Sequence, residues 1–340
     1  MKMSSTAVIV LNWNDADLLP YSVGSLLKQK FDFDIIVVDN GSTDGSREVI
    51  ESFGNKITAI YNDDNYGFAG GINSGFHYVL DNNYDYVGFL NNDATAQKDW
   101  VKELHTACSG GKRVGGATSA IHHATEDTYD STGDFLSIWG IAWPRGRDEA
   151  IEGQYNKKTD VFAVSGGASM YKTAMLREVG LFDEDFFAYY EDVDLGMRAQ
   201  LHGWSFKFAP KAVVLHATGT TSGRVKNFGT FQALKNQPLV VIKNVPRSLL
   251  IKVVPRFILA YLMFSGRSLA RGKLLTVFKA WVAVARLTPK KLGERRVIQK
   301  SSTPAGVKNV EKLIVYDLPA NATALRKLRS IMRKVFPKFV

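Results

Sequence analysis

Apolar residues in the first third of the chain come in short, nearly unbroken runs, and each run stops on Asn or Asp. Thr6–Leu11 (TAVIVL) ends at Asn12-Trp13-Asn14, and Asp34–Asp39 (DIIVVD) ends on its own carboxylate. Ile57–Tyr61 is followed by Asn62, and Tyr86–Leu90 (YVGFL) halts at Asn91-Asn92-Asp93. Runs without alternation are the pattern of strands buried on both faces, as in a parallel sheet covered by helices. Between them the period becomes helical. Leu18, Leu19, Val23, Leu26 and Leu27 form a stripe within Asp15–Gln29, and Arg47–Phe53, Asn73–Leu80 and Trp100–Cys108 read as further helices. Ser42 or Asp44, in the turn NGSTDGS, would cap the second of these. Strand, turn, helix, repeated, predicts the βαβ pattern of a nucleotide-binding α/β fold.

The polar stops are the first candidates for chemistry, because ligands of open α/β sheets sit beyond the carboxyl ends of the strands. Asp93 is placed to deliver a carboxylate there, although Asn-Asn-Asp also closes strands for purely local reasons. Asp39 would accept hydrogen bonds from a ribose hydroxyl or a base N–H, or else cap a turn. No GxGxxG follows the first strand and no GxxxxGK[ST] occurs, which argues against a dinucleotide dehydrogenase or a P-loop NTPase. Asn65–Gly75 (NYGFAGGINSG) holds four glycines and reads as a loop that something approaches closely. It would lead into a helix whose first N–H groups face an anion.

Further along, Asp130–Gly133 and Trp139–Gly146 look like strand and loop pieces, with two tryptophans that either fill a core or face a sugar. Val164–Ala168 (VSGGA) puts small residues where backbone passes near a ligand or another strand. Glu191–Arg198 (EDVDLGMR) opens a helix, and three carboxylates in its first turn suit the helix dipole. Asp194 and Arg198 are four apart and should pair along that helix. The aromatic residues Phe186–Tyr190 just before it would partly desolvate a neighbouring carboxylate, making Glu191 or Asp192 a candidate general base. Phe206–Ala209 and Ala212–Leu215 read as two short strands. The second ends at His216, better placed as a ligand than the other five histidines.

Composition narrows the class. The 340 residues, 45% hydrophobic and 22% charged, describe an ordinary globular protein with room for one large domain and an appendage, or two domains. A single cysteine, Cys108, excludes a disulfide framework and a cysteine-based metal cluster and fits a reducing compartment. The N-terminus reads as lacking a secretory leader. The net charge of +10 is unevenly spread: from Arg224 onward there are 25 Lys and Arg against 3 Asp and Glu, whereas the first 223 residues carry 18 against 30. An acidic part, 1–223, and a basic part, 224–340, are therefore expected, separated near the loop-like Gly219–Gly229. In the basic part, Leu249–Phe264, Leu274–Leu287 (with Trp281) and Leu325–Lys338 combine apolar faces with Lys and Arg. The first falls short of a spanning helix because Lys252, Pro255 and Arg256 interrupt it. Such helices suit the interface of an anionic membrane; packing on the rest of the protein or pairing in a homodimer is the alternative. The aromatic-basic interleaving of an RNA- or DNA-binding module is absent, so nucleic acid is not an expected partner.

Together the ordered segments IVLNWN, VVDNGSTDGS, NYGFAGGINSG, FLNNDA, VSGGASM and GLFDEDFFAYYEDVDLGMRAQLHGW resemble family 2 glycosyltransferases of the GT-A fold. The resemblance spans about residues 5–220 and is strongest to bacterial rhamnosyltransferase-like members that build cell-surface polysaccharides. It implies a mixed α/β sheet with helices on both faces, and inverting transfer of a sugar from a nucleotide-diphospho donor. Asp93 matches the last position of the DxD-like metal motif, where Asn91 and Asn92 leave a single carboxylate, and His216 matches a metal- or diphosphate-contacting position. A divalent cation, Mg2+ or Mn2+, is the implied cofactor. Asp192 matches the catalytic base. Asp39 matches the base- or ribose-binding aspartate, with Asn12, Asn40, Asn65, Gly71, Asn73, Asn92 and Gly167 lining the donor site. The implied donor is dTDP-rhamnose, with UDP- or GDP-sugars as alternatives, and the implied acceptor is a polyprenyl-linked or other glycan. A cytoplasmic enzyme, peripheral on the inner face of the membrane, would suit both. A sugar-nucleotide nucleotidyltransferase would instead want a glycine-rich, basic loop after the first strand, and Asn12-Trp13-Asn14 is not one.

Overall fold

A computed structural model describes residues 5–217 and 225–317. Four parallel strands come first: β1 (Thr6–Asn12), β2 (Asp34–Asn40), β3 (Thr58–Asn62) and β4 (Tyr86–Asn91), side by side in the order β4-β1-β2-β3. Helices α1 (Leu19–Leu27), α2 (Ser46–Ser52) and α3 (Gly67–Asp81) make the crossovers. β1 shows why the apolar runs do not alternate. Val8 and Val10 face a core with α1, α2 and α4 (Trp100–Ser109), while Ala7 and Ile9 face a second core on α3, and all four are fully buried.

After β5 (Ala94–Ala96) and α4, the chain adds β6 (Val114–His123), then the short strands β7 (Tyr129–Ser131), β8 (Asp134–Leu136), β9 (Ala142–Pro144) and β10 (Thr159–Val161). β11 (Ala168–Lys172) inserts antiparallel between β4 and β6. Helices α5 (Thr173–Val179) and α6 (Glu191–Leu201) follow, and β12 (Ser205–His216) returns parallel to β6. The result is a mixed sheet of order β10-β12-β6-β11-β4-β1-β2-β3 with helices on both faces. β12 is one strand rather than two: a register shift between Ala209 and Val213, at Pro210, splits it without breaking it. Proline removes a ladder donor, and a bulge accommodates that loss.

The glycine-rich stretch is not a loop. α3 begins at Gly67, so Gly70, Gly71 and Gly75 lie inside the helix. A Cβ on Gly71 would stand 2.5 Å from Leu11 Cδ1, and one on Gly75 would stand 2.6 Å from Ile9 Cδ1. The close approach these glycines permit is that of α3 to β1.

The basic part forms α7 (Phe228–Asn244), α8 (Arg247–Ala270), α9 (Leu274–Ser301) and α10 (Pro304–Leu313). Leu239, Leu249, Phe257, Ile298 and Val310 from these helices share a core with Trp139 and with Val193, Met197 and Leu201 of α6. Trp139 is therefore a core residue. The tail 325–338 lies outside the described residues.

Candidate active site

Strand register assembles the site. Asn12 pairs with Asp39 across β1 and β2, and Leu11 pairs with Asn91 across β1 and β4, so the polar stops form one row along the sheet's carboxyl edge. Within it the Asn12 amide donates to Ser42 Oγ (3.3 Å) and, at 3.5 Å, to Asp39 Oδ1. Asn92 Nδ2 donates to Asn12 Oδ1 (3.1 Å) and Asp15 Oδ2 (3.3 Å), binding the end of β4 to the loop after β1. Asn12, Asp39 and Asn92 are thus brought together, and all are buried.

His216 reaches the same edge because it pairs with Ala94 of β5, next to Asp93. Its Nε2 lies 2.9 Å from Asp93 Oδ1 and its Nδ1 lies 2.8 Å from Asp130 Oδ2. Burial opposes a charge on this ring, but hydrogen bonds to Asp130 and Asp93 outweigh it and raise the imidazolium to about 9. Asp130, held at 2.9 Å by Arg147, is the residue that sequence reading overlooked. It fixes the ring so that Nε2 faces Asp93, the orientation in which a carboxylate-backed imidazole holds a metal ion. One carboxylate and one oriented imidazole, its Nε2 proton displaced by the metal, fit a divalent cation.

Gly166 and Gly167 connect this edge to α6. The Gly167 carbonyl accepts the Asn91 N–H (3.0 Å), two residues from Asp93, while the Gly166 N–H donates to Asp192 Oδ2 (2.9 Å). A Cβ on Gly166 would stand 3.1 Å from that same oxygen. Asp192 keeps part of its surface open to solvent. Burial pushes its carboxyl above the usual range against the pull of the Gly166 and Val193 amides. Glu191 beside it is buried, with Oε2 lacking a hydrogen-bond partner, and its carboxyl is pushed well up, first by burial and then by Asp192. Asp134, at the start of β8, is in the same condition, raised by burial and by Asp192. Nothing local in the sequence distinguishes Asp134; only the fold brings it to α6. Asp194 pairs with Arg198 at 2.9 Å, as its spacing predicts.

Other proposed pocket residues are committed within the protein. Asn40 donates to Asn65 Oδ1 and to the Gly67 carbonyl (both 3.0 Å), and accepts from Asn62 (2.9 Å) and from the Tyr66 N–H (3.3 Å). Asn65 receives the Asn40 and Gly67 donors. Gly71 sits against Leu11. Asn73 faces the other way, donating to the Phe182 carbonyl and Glu184 (both 2.9 Å). A second acidic group, Asp183, Asp185 and Glu294, has the spacing of a metal site, but the Lys291 ammonium donates to all three and fills its centre.

The family profile described as "Glycosyl transferase family 2" matches residues 7–180, and "Glycosyl transferase family group 2" matches 123–285. The chain belongs to glycosyl transferase family 2. This family 2 chain is 27% identical over 216 residues to the N-acetylglucosaminyl-diphospho-decaprenol L-rhamnosyltransferase of Mycobacterium tuberculosis, covering 56% of this chain and 68% of that one. It is also 27% identical over 180 residues to a low-salt glycan biosynthesis hexosyltransferase of Haloferax volcanii, covering 49% and 53%. In fold, the family 2 chain is similar to a mannosyltransferase of Pyrobaculum calidifontis solved with GDP-Man and Mn2+ (TM-score 0.53, 13% identity, 91% and 88% covered). It is likewise similar to GalNAc-T7 solved with UDP, GalNAc and Mn2+ (TM-score 0.56, 15% identity, 71% and 48% covered), so it spans about half the length of that chain. The fold is GT-A, and the chain is a glycosyltransferase.

Proposed function

We propose that this enzyme transfers a sugar, with inversion, from a nucleotide-diphospho donor to a lipid-linked or other glycan acceptor in polysaccharide biosynthesis. The carrying observation is the Gly166-Gly167 bridge, which ties the Asp192 carboxylate to the strand end that bears Asp93. Asp192 takes the proton of the acceptor hydroxyl while that oxygen attacks the anomeric carbon. The bond from that carbon to the diphosphate breaks on the opposite face, and the nucleoside diphosphate leaves. Burial makes Asp192 a stronger base than an ordinary aspartate. Asp39 accepts hydrogen bonds from the nucleoside, and Asn12, fully buried between Asp39, Ser42 and Asn92, holds that edge in place. Asp93 and His216 would hold a divalent cation, whose positive charge would offset the negative charge that builds on the departing diphosphate. An imidazole ligand suits Mn2+ better than Mg2+, which prefers oxygen.

The rhamnosyltransferase relative supports a dTDP-rhamnose donor and a polyprenyl-diphospho-linked acceptor; the hexosyltransferase relative supports other hexoses. An acceptor of that kind would suit an enzyme on the cytoplasmic face of a membrane. The exposed side of α8 suits this location. Ile251, Pro255, Ile258, Leu262, Gly266 and Leu269 recur every three or four residues along its outer face, all exposed. α8 is also, among the described residues, the helix long and apolar enough to cross a bilayer, although its inner face packs on the protein.

A panel of dTDP-, UDP- and GDP-sugars tested by calorimetry, with and without Mn2+ or Mg2+, checks the reading. One donor should bind, more tightly with metal, and Asp93→Ala should remove the metal's effect. Failure of every nucleotide to bind would overturn the transferase reading.

A further inference from the structure

The segment that delivers Asp192 is strained. Phe187 (φ +63°), Tyr189 (φ +66°) and Tyr190 (φ +74°) all lie in the left-handed region, although none is glycine. Bulky residues stay there only where their surroundings over-determine the backbone. On one side those surroundings are α3, whose Ala69 N–H donates to the Phe187 carbonyl (3.0 Å). On the other they come from three consecutive residues of α7.

Asn236 is fully buried, and its amide nitrogen donates to the carbonyls of Phe186 (3.0 Å), Ala188 (2.9 Å) and Tyr189 (2.7 Å). Lys235 Nζ donates to the carbonyls of Asp185 (2.8 Å) and Phe186 (3.2 Å). Gln237 Nε2 donates to the Tyr190 hydroxyl (2.6 Å). Seven polar contacts, counting that of Ala69, therefore converge on the six residues that precede Glu191. A twisted backbone turns its carbonyls away from regular pairing, and these side chains supply the donors that such carbonyls need when buried.

We propose that Lys235, Asn236 and Gln237 are positioning residues of the transferase. They hold 185–190 in the conformation that presents Asp192 to the acceptor hydroxyl, so the basic helices help to build the active site. This rests on Asp192 as the base.

The test uses the full chain and four variants. Gln237→Met keeps the size of the side chain and removes only the donor to Tyr190, and Tyr190→Phe removes the same bond from the other end. Asn236→Ala removes the central amide, and Asp192→Asn reports on the base separately. Expected are a 10- to 100-fold loss of kcat in Asn236→Ala and about a fivefold loss in Gln237→Met. The double variant of Gln237→Met with Tyr190→Phe should lose no more than either alone. The Kd of the nucleoside diphosphate should stay within twofold, and amide exchange across 186–192 should quicken. Gln237→Met and Tyr190→Phe decide the matter if Asn236→Ala does not fold. Folded variants with kcat within twofold of the parent, or losses that simply multiply in the double variant, would overturn the clamp. Normal turnover by Asp192→Asn would instead remove the base, and the exchange and double-variant data would still judge the clamp.

Discussion

Asp192 and Asp194 sit two positions apart on α6 and meet opposite environments. Asp194 is fully buried, but Lys243 and Arg198 outweigh the burial and hold its carboxyl low. Asp192 receives only backbone donors and is raised. The acid limb of kcat against pH should therefore lie above the ordinary aspartate range, since the base works only when deprotonated. Asp192→Asn should lower kcat by about 10²–10⁴ with donor binding intact. A limb at an ordinary aspartate pKa would count against the assignment. Lys243 bridges Asp183 and Asp194. Lys243→Met leaves the buried Asp194 and the partly buried Asp183 each short of a partner and should cost about 3–5 kcal/mol by urea denaturation. Burial opposes ionisation of Asp183, yet Lys243 and Lys291 prevail and hold it down to about 2. A carboxylate depressed in the folded state stabilises above its ordinary pKa and loses that contribution as pH falls through the folded value. Stability on the order of 2 kcal/mol should thus vanish between about pH 4 and pH 2, a slope that Asp183→Asn should flatten. At this scale Asp93, Asp192 and His216 were legible in the sequence as candidates, because each sits at the end of a patterned element. Asp130 and Asp134 were not, because their significance comes from contacts 86 and 58 positions away in the chain.

At the scale of elements, the parallel strands were readable because both faces of each are buried and the apolar run has no gaps. Of α3 only the second half, Asn73–Leu80, was, because glycine is a poor helix former and four glycines look like a loop. The contact that justifies them, with Ile9 and Leu11 on a distant strand, is invisible along the chain. Gly75→Ala tests the point. Helix propensity alone would make the change stabilising, whereas the overlap with Ile9 should make it destabilising by about 1–3 kcal/mol in chemical denaturation. The boundary of α8 was likewise underestimated: Lys252, Pro255 and Arg256 suggested an interruption, but the helix continues from Arg247 to Ala270. Proline weakens only local pairing there, and the buried inner residues Val253, Phe257 and Ala260 keep the helix seated.

Across the whole molecule, acidic and basic parts share a core, so the C-terminal helices are bound to the enzyme on one side and open on the other. Leu274, Leu275, Phe278 and Trp281 extend the exposed apolar surface of α8 onto α9, among Lys273, Lys279 and Arg271. Sedimentation with phosphatidylglycerol vesicles should capture the protein, more weakly at high salt, and Ile258→Glu with Leu262→Glu should release it while leaving donor binding unchanged. Equal binding of that variant would show that the helix face does not meet lipid.

Cys108 gives the protein a built-in reporter. It is the chain's sole thiol, fully buried on α4, with its sulfur directed at the Met170 carbonyl (3.5 Å), and burial pushes it far above the ordinary thiol range. A thiolate must form and be reached before a maleimide can react. Labelling of the native enzyme should consequently be slow and should keep time with the parting of α4 from β11. The same reaction, followed at increasing urea, would read the opening free energy of the central sheet without any engineered probe.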